Sequence, residues 1–208
     1  MIEIKYKSYD EMPINIYLKL RNVLATGDDD MNKEFEVISI LSGIDIDTLM
    51  ECKLEEIQGI TNKCSFLSTS NINITDNIKE VEVNGIKYTV CDDLKKFTVA
   101  QYVDFQNYPK DEKHLAENLS TFVVPKGKKY GEGYDIVKTI GDFNEYMPIS
   151  TAISLQNFFT KKLVLSTKDT LRSLIPLMKM QMKKMKKKDM EKIETKIKEL
   201  EQQYGYLL

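Results

Sequence analysis

Few side chains in this sequence have the types and spacing that chemistry requires. Asp28, Asp29 and Asp30 form a run of three carboxylates that could supply oxygen ligands to a hard cation. No second group of ligands stands near this run, and a helical pattern begins immediately after it. A carboxylate at a helix N-terminus accepts hydrogen bonds from free backbone amides and favours the helix dipole. We therefore interpret the run as a helix cap and predict no metal site.

The single histidine, His114, is the other candidate for chemistry, because imidazole is the commonest general base. It lies in a helical pattern, and no cysteine or carboxylate is placed as an obvious partner. The sequence therefore predicts a surface or capping role for His114. No hydrolase, zinc-protease, P-loop or dinucleotide-binding motif occurs. We predict a non-enzymatic protein with no catalytic residues and no cofactor.

The loop from Lys126 to Gly133 is rich in glycine and lysine and superficially suggests a phosphate cradle. It has neither the P-loop spacing, nor a Ser or Thr after Gly-Lys, nor a strand that leads into it. A surface loop is the better interpretation. Cys52, Cys64 and Cys91 are scattered and odd in number, which predicts reduced, buried thiols in a cytosolic setting.

Composition limits the classes of protein further. The chain has 208 residues, 42% of them hydrophobic, so it can bury a core. Its 30 basic and 32 acidic residues give a net charge of −2, which argues against general affinity for nucleic acid. The start, MIEIKYKSYDEM, lacks the apolar region of a secretory signal, and no apolar run approaches the ~20 residues that cross a bilayer. We expect a cytoplasmic protein with no membrane partner.

The elements that position these residues are mostly helices. Apolar spacing and caps predict helices over Ile14–Leu24, Asn32–Ser42, Asp47–Met50 and Leu54–Leu67, with Gly43 in a left-handed C-terminal position. Residues 79–90 alternate around Asn84-Gly85, the signal for a type I′ hairpin that pairs Val81 with Tyr88.

The second half of the chain continues the helical pattern. A capping box begins a helix at Thr98, a helix is predicted from Glu112 to Val124, and Asp135 caps another. The segment Ile149–Leu165 is apolar on much of its circumference and predicts a buried helix. Its Phe158-Phe159 pair could instead anchor a partner, although core packing is the better interpretation.

The last forty residues combine methionine with lysine. Nine lysines lie between Lys179 and Lys198, which could contact nucleic-acid phosphates. Later glutamates interleave with these lysines and no aromatic residue stands among them, so a solvated helix face is favoured. Methionine suits adaptable protein contacts, and the later apolar residues have coiled-coil spacing. The predicted protein-interaction residues are Met178, Met182, Met185, Met190, Ile193, Ile197, Leu200 and Tyr204.

These patterns predict an α+β fold that is predominantly α-helical, with a helical core, one β-hairpin and a long C-terminal helical arm. An N-terminal helical cluster would span residues 1–68. The hairpin and further helices would span residues 76–168 and pack with that cluster as one domain. The Lys/Met-rich arm would span residues 169–208, with a kink or break at Pro176.

Several segments together resemble a family of uncharacterised virion or assembly proteins of crAss-like and related phages of gut Bacteroidetes. The resemblance covers about residues 32–188. The resemblance lies in the general character of the sequence and in the order of the segments, and it includes no catalytic signature. Its first segment is also similar to the helix pair of tail assembly chaperones of long-tailed phages. The segments are FEVISILSGIDIDTLMECKLEEI, VEVNGIKYTV, KKFTVAQYVDFQNY, NLSTFVVPKGKKYGEGYDI and YMPISTAISLQNFFTKKL.

The resemblance implies a protein that works by contact with phage tail or portal-region proteins. It would be an assembly chaperone, a subunit of a portal–tail ring, which is a homo-oligomer, or a cargo protein of the particle. Its place would be the host cytoplasm during assembly, with retention in the virion for the last two. The alternative is a nucleic-acid-binding accessory protein that uses the lysine-rich C-terminal helix.

Deletion of all residues after Lys188 tests the role of the C-terminal apolar seam. We expect the truncated chain to lose partner binding and to keep its folded core, because the seam would serve contact between chains. Pull-down of partners beside circular dichroism of both chains measures the two effects. Unchanged association of the truncated chain would contradict this role.

Overall fold

The computed structural model describes residues 3–25, 30–68 and 72–164 of the chain. Within these residues, eight α-helices accompany a small three-stranded antiparallel sheet, so the predicted mostly helical α+β class is confirmed. The predicted C-terminal arm, its kink at Pro176 and all eight predicted interaction residues lie outside the described residues. No helix in the described part is long and apolar enough to cross a membrane.

Four helices form the N-terminal part: α1 (Ile14–Ala25), α2 (Asp30–Ser42), α3 (Ile46–Met50) and α4 (Leu54–Lys63). The predicted turn at Gly43 is confirmed, because its φ of +76° lies in the left-handed region that favours glycine. Asp45 caps α3 by accepting a hydrogen bond from the Thr48 amide at 2.9 Å. Leu20, Ile38, Leu41 and Leu49 are buried and form much of this part of the core.

The fourth helix is shorter than its apolar pattern predicts. It ends at Lys63, and a 3₁₀ turn over Ser65–Ser68 replaces the predicted last turns. The Cys64 amide donates to the carbonyls of both Ile60 and Thr61, which tightens the helix end into 3₁₀ geometry. Apolar spacing alone does not report such a change, since both helix types keep residues three apart on one face.

The predicted hairpin is confirmed in position and register. Strands β1 (Glu80–Val83) and β2 (Ile86–Val90) pair antiparallel, with Val81 opposite Tyr88 and Glu82 opposite Lys87. Asn84 and Gly85 both have positive φ, as a type I′ turn requires. The Asn84 side chain also donates to Oδ1 of the buried Asp142 at 3.1 Å, which fixes the turn to the helical part.

The prediction of one long helix from Glu112 to Val124 was wrong. Its first residues form a 3₁₀ turn (Glu112–His114), α6 spans only Leu115–Ser120, and Val123–Pro125 form strand β3. This strand pairs antiparallel with β2, Val123 lying opposite Val90, so the hairpin is part of a larger sheet. The physical reason is the fully buried β-branched Val123, which suits a strand, followed by a proline that cannot continue a helix.

The remaining helices are α5 (Val99–Asn107), α7 (Ile136–Tyr146) and α8, which covers residues 149–164. Asp135 caps α7 as predicted, accepting from the amides of Val137 and Lys138. Ile149, Leu155, Phe158 and Phe159 are buried, in agreement with the predicted buried helix. Contacts divide the chain into one unit of residues 1–91 and 96–157 and a second of residues 92–95 and 158–208.

An aromatic pair joins the sheet to α7. The rings of Tyr88 on β2 and Phe143 on α7 are both fully buried, with centroids 5.0 Å apart in an edge-to-face arrangement. Such pairs contribute about 0.5–1.5 kcal/mol beyond their burial.

Phe143→Ala should lower the free energy of unfolding by about 3–5 kcal/mol, because it leaves a cavity against Tyr88. Val137→Ala, at a position of the same helix that is 78% exposed, is the control and should change it by no more than ~0.5 kcal/mol. Urea unfolding of both variants and the wild type provides the measurement. Equal effects of the two substitutions would show that the ring pair does not hold the sheet to α7.

Candidate protein-interaction surface

Helix α5 begins at a complete capping box. The hydroxyl of Thr98 accepts from the Gln101 amide at 3.1 Å, and Oε1 of Gln101 accepts from the Thr98 amide at 2.9 Å. Two of the amides that a helix N-terminus leaves free are therefore satisfied by side chains of the same turn. The sequence predicted this cap, and the structure confirms it.

The inward face of α5 is partly polar. Gln101 is buried, and its Nε2 donates to the backbone carbonyl of Thr121 at 3.0 Å. One side chain thus closes the capping box through its oxygen and ties the helix to the turn after α6 through its nitrogen. A buried amide needs such partners, since an unpaired one would cost about 1–3 kcal/mol.

A second polar bond holds the next turn of α5. The hydroxyl of Tyr130, a buried residue of the Lys126–Gly133 loop, donates to Oδ2 of the half-buried Asp104 at 2.8 Å. Burial, and then the bond and negative charge of Asp104, raise the pKa of Tyr130 well above its ordinary value. The tyrosine is therefore a neutral donor throughout the physiological pH range.

The outward face of α5 is apolar. Val99 is 81% exposed, Tyr102 54% and Val103 45%, although apolar side chains of this size usually lie inside. Residues at positions i, i+3 and i+4 of a helix share one face. The three side chains therefore form one continuous surface, which we call the α5 stripe.

The usual order of polarity is thus partly inverted on this helix. A surface helix ordinarily turns its apolar residues inward and its polar residues to water. Here Phe105 is the buried aromatic residue, while Gln101 and Asp104 make the inward polar bonds and the α5 stripe faces out. Exposed apolar residues that stand singly are common, whereas the α5 stripe groups three of them on one face of a capped helix.

Sequence reasoning did not identify this surface. The capping box at Thr98 predicted the helix but not which of its sides faces the core, and the structure buries Phe105 while it exposes Tyr102 and Val103. The usable signal was the four-residue spacing of Gln101 and Phe105, which places a polar and an aromatic side chain on one face of α5 and leaves Val99, Tyr102 and Val103 on another.

His114 has a structural partner that the sequence analysis missed. Its Nδ1 lies 2.7 Å from Oδ1 of Asp111, and the same carboxylate accepts from the His114 amide. The bond to the His114 ring holds the pKa of Asp111 below its usual range. This i, i+3 pair closes the 3₁₀ turn that precedes α6. The capping side chain is that of Asp111, and His114 itself makes no side-chain cap bond at the start of α6.

The aspartate run gives a limited result, because Asp28 and Asp29 lie outside the described residues. Helix α2 begins at Asp30, two residues before the predicted start at Asn32. Among the described residues no group of three histidine, cysteine or carboxylate side chains could hold a metal ion.

The Lys126–Gly133 loop makes structural contacts. Lys126 pairs with Glu80 at 2.7 Å, which lowers the pKa of Glu80, and Lys129 forms a β-bridge with Glu132. Together with the Tyr130 bond to Asp104, these contacts hold the loop against the sheet and α5. The loop therefore helps to fix the orientation of α5 through the side of the helix that carries Asp104.

Lys110, just beyond α5, is also engaged. Its ammonium donates to the Phe105 carbonyl and to Oδ1 of Asn118, and it lies 3.7 Å from the centre of the Phe105 ring. Partial burial lowers the pKa of Lys110. Lys110 borders a depression of about 180 Å³, below the ~300–1,000 Å³ of typical small-molecule sites. A larger depression of about 450 Å³, within that range, adjoins Glu3, Ile4, Lys7 and Lys63.

Three kinds of comparison give no relative for this arrangement. No protein-family model, no curated protein and no solved structure matches the chain.

Tyr130→Phe should lower the free energy of unfolding by about 1–2 kcal/mol, because it removes the hydroxyl bond to Asp104. The wild-type contribution depends on pH. Since the folded state raises the pKa of Tyr130 above 10.0, it is fully present below pH 10 and is lost as the pH rises further.

Urea unfolding at about pH 7 and again above pH 10 measures both effects. Stability should fall more steeply above pH 10 in the wild type than in Tyr130→Phe. Tyr102→Phe, on the exposed face of α5, is the control and should follow the wild type. Parallel pH curves for all three proteins would show that the bond to Asp104 does not hold α5.

Proposed function

We propose that this protein is a non-enzymatic structural or assembly protein of a tailed phage, acting through protein–protein contacts at the tail or head–tail region. It would be a virion component or a tail assembly chaperone. The observation that carries the proposal is the α5 stripe, an apolar surface turned outward on a helix whose inward bonds are partly polar.

The α5 stripe has the chemistry of a protein contact. Burying a valine side chain fully contributes about 1.5–3 kcal/mol, so the exposed fractions of Val99 and Val103 leave a useful driving force for association. Tyr102 adds an aromatic ring with a polar end, a type enriched among residues that dominate binding energy. A rigid helix also presents the three side chains with little ordering cost.

The phage setting rests on the resemblance of segments. The α5 stripe lies in KKFTVAQYVDFQNY, one of the five segments similar to the virion and assembly proteins of crAss-like phages. In this proposal that segment is shared because it makes a contact that particle assembly needs. The Lys/Met-rich C-terminal segment would add a second contact region.

Nucleic-acid binding is the second candidate, favoured by the nine lysines between Lys179 and Lys198. Binding through phosphate contacts would weaken steeply with salt. Titration of duplex DNA with the full chain at about 50 and 200 mM salt separates this candidate, since neutral protein contacts through the α5 stripe depend little on salt.

Proteomics of purified particles beside infected-cell lysate tests the setting. A copy number per particle that is a multiple of the portal or tail symmetry would identify a ring subunit or packaged component. Abundance in the lysate with absence from the particle would identify an assembly chaperone. Absence of any association with particle proteins in either sample would overturn the proposal.

The double substitution Val99→Glu with Val103→Glu tests the surface itself. We expect at least a tenfold loss of co-purified tail or portal-region proteins, because two charges would have to be buried in the contact. Stability should change by no more than about 1 kcal/mol, since Val99 is 81% exposed and Val103 is 45% exposed. Affinity purification with mass spectrometry, beside thermal unfolding, measures both.

Val137→Glu is the control, because it places one glutamate at an exposed valine on α7, away from the α5 stripe. It should leave the co-purified set unchanged. Full retention of partners by the α5 variant would remove the α5 stripe from the proposal.

A further inference from the structure

A second exposed apolar group lies on α3 and at the start of α4. Met50 is 62% exposed and Leu54 is 72% exposed, and Ile46, one helical turn before Met50, is exposed as well. The buried positions of the same segment are Leu49 and Ile57, which face the core. Met50 and Leu54 therefore keep most of their surface outside the packing of this part of the chain, and Ile46 keeps 37% of its surface exposed.

Acidic side chains surround this apolar group. The exposed acidic residues of the segment are Asp45, Asp47, Glu51, Glu55 and Glu56, and Lys53 is its one basic residue. Residues 45–56 therefore carry a net charge of −4. We call the five acidic residues, together with Ile46, Met50 and Leu54, the acidic apolar surface.

The chain itself contains a segment with the opposite charge and an apolar face of its own. Residues 178–188, MKMQMKKMKKK, carry six lysines and no acidic residue. Met178, Met182 and Met185 are spaced by four and three, so the sequence predicts that they share one face of a helix. The asymmetry holds across the whole chain, since residues 1–164 have 19 basic and 26 acidic residues, and residues 165–208 have 11 basic and 6 acidic residues.

We propose that the acidic apolar surface binds residues 178–188 of a second copy of this chain. The methionines would cover Ile46, Met50 and Leu54, and the lysines would lie beside Glu51 and Glu55. The inference rests on the proposed function, because it names one partner for a protein that works by contact, and it uses residues distinct from the α5 stripe.

Contact between copies follows from two features. The apolar residues just after the lysines, from Met190 to Tyr204, have the spacing of a seam that pairs separate helices. The two surfaces also differ from each other, so a pair joined by one such contact still presents one unpaired surface of each kind, one on each copy. Such a heterologous interface forms closed rings or open filaments rather than simple symmetric dimers.

Charge reversal in the full-length chain tests the pairing. Glu51→Lys with Glu55→Lys alters the acidic apolar surface without touching the caps made by Asp45 and Glu56. Lys183→Glu with Lys187→Glu alters the basic segment, and a fourfold variant combines the two sets. Glu132→Lys, an exposed residue on the loop after β3, is the matched control. Sedimentation velocity over a concentration series, at about 50 and 300 mM salt, measures self-association.

The wild type and the Glu132→Lys control should self-associate, more weakly at the higher salt. Each double variant should associate about 3- to 30-fold more weakly, because two exposed ion pairs become repulsive. The fourfold variant should recover association, since the charges are exchanged rather than lost. Neither a folding defect nor loss of a generic lysine contact would produce that recovery.

A wild-type chain that stays monomeric at every concentration overturns the inference, including the case in which residues 178–188 bind within their own chain. Unchanged association of the Glu51→Lys/Glu55→Lys variant also overturns it. If the lysine variant loses only DNA binding, the lysines serve nucleic acid instead and the pairing is wrong. The Val99→Glu/Val103→Glu experiment reads a different surface, so either proposal can fail while the other stands.

Discussion

The hydrogen-bonding of β2 on both of its edges is the constraint on which the described fold depends. A two-residue turn connects β2 to its neighbour β1. Its other neighbour, β3, follows β2 in the chain only after the helices α5 and α6. Tyr88, at the centre of β2, contacts Phe143 and so joins the sheet to α7. Through β3 the same strand fixes the turn at Thr121, whose carbonyl holds Gln101 and with it the inward face of α5.

Local signals in the sequence were sufficient where partners are close along the chain. The Asn84-Gly85 turn determines the register of its own hairpin, and the Thr98 capping box is closed within four residues. Strand β3 was predicted as helix, because the partner that makes Val123 a strand residue is Val90, distant in sequence. A short buried strand and a segment of buried helix have the same apolar sequence pattern, and only the strand partner distinguishes them.

The same distinction applies to the surface of α5. Its helical nature could be predicted, but its orientation could not, because the orientation depends on the Thr121 carbonyl and the Tyr130 hydroxyl. Both groups come from elements that the sequence analysis treated as unrelated to α5. The Lys126–Gly133 loop illustrates the point. The sequence analysis gave Tyr130 no role, yet its hydroxyl bond to Asp104 holds this loop against α5. The predicted interaction residues from Met178 to Tyr204 lie outside the described residues, so their role stays a prediction.

The position of α5 between β2 and β3 has a kinetic consequence. Pairing of Val90 with Val123 closes a long loop, which costs conformational entropy before any contact repays it, so this pairing should form after the local hairpin. The two inward bonds of α5 need groups near or beyond the far end of that loop. In a chain that has not yet paired β2 with β3, α5 therefore lacks the two bonds that fix its orientation. The outward valines and tyrosine then form a defined shape only in molecules that have completed folding, so partner recognition through them would select finished copies over nascent ones.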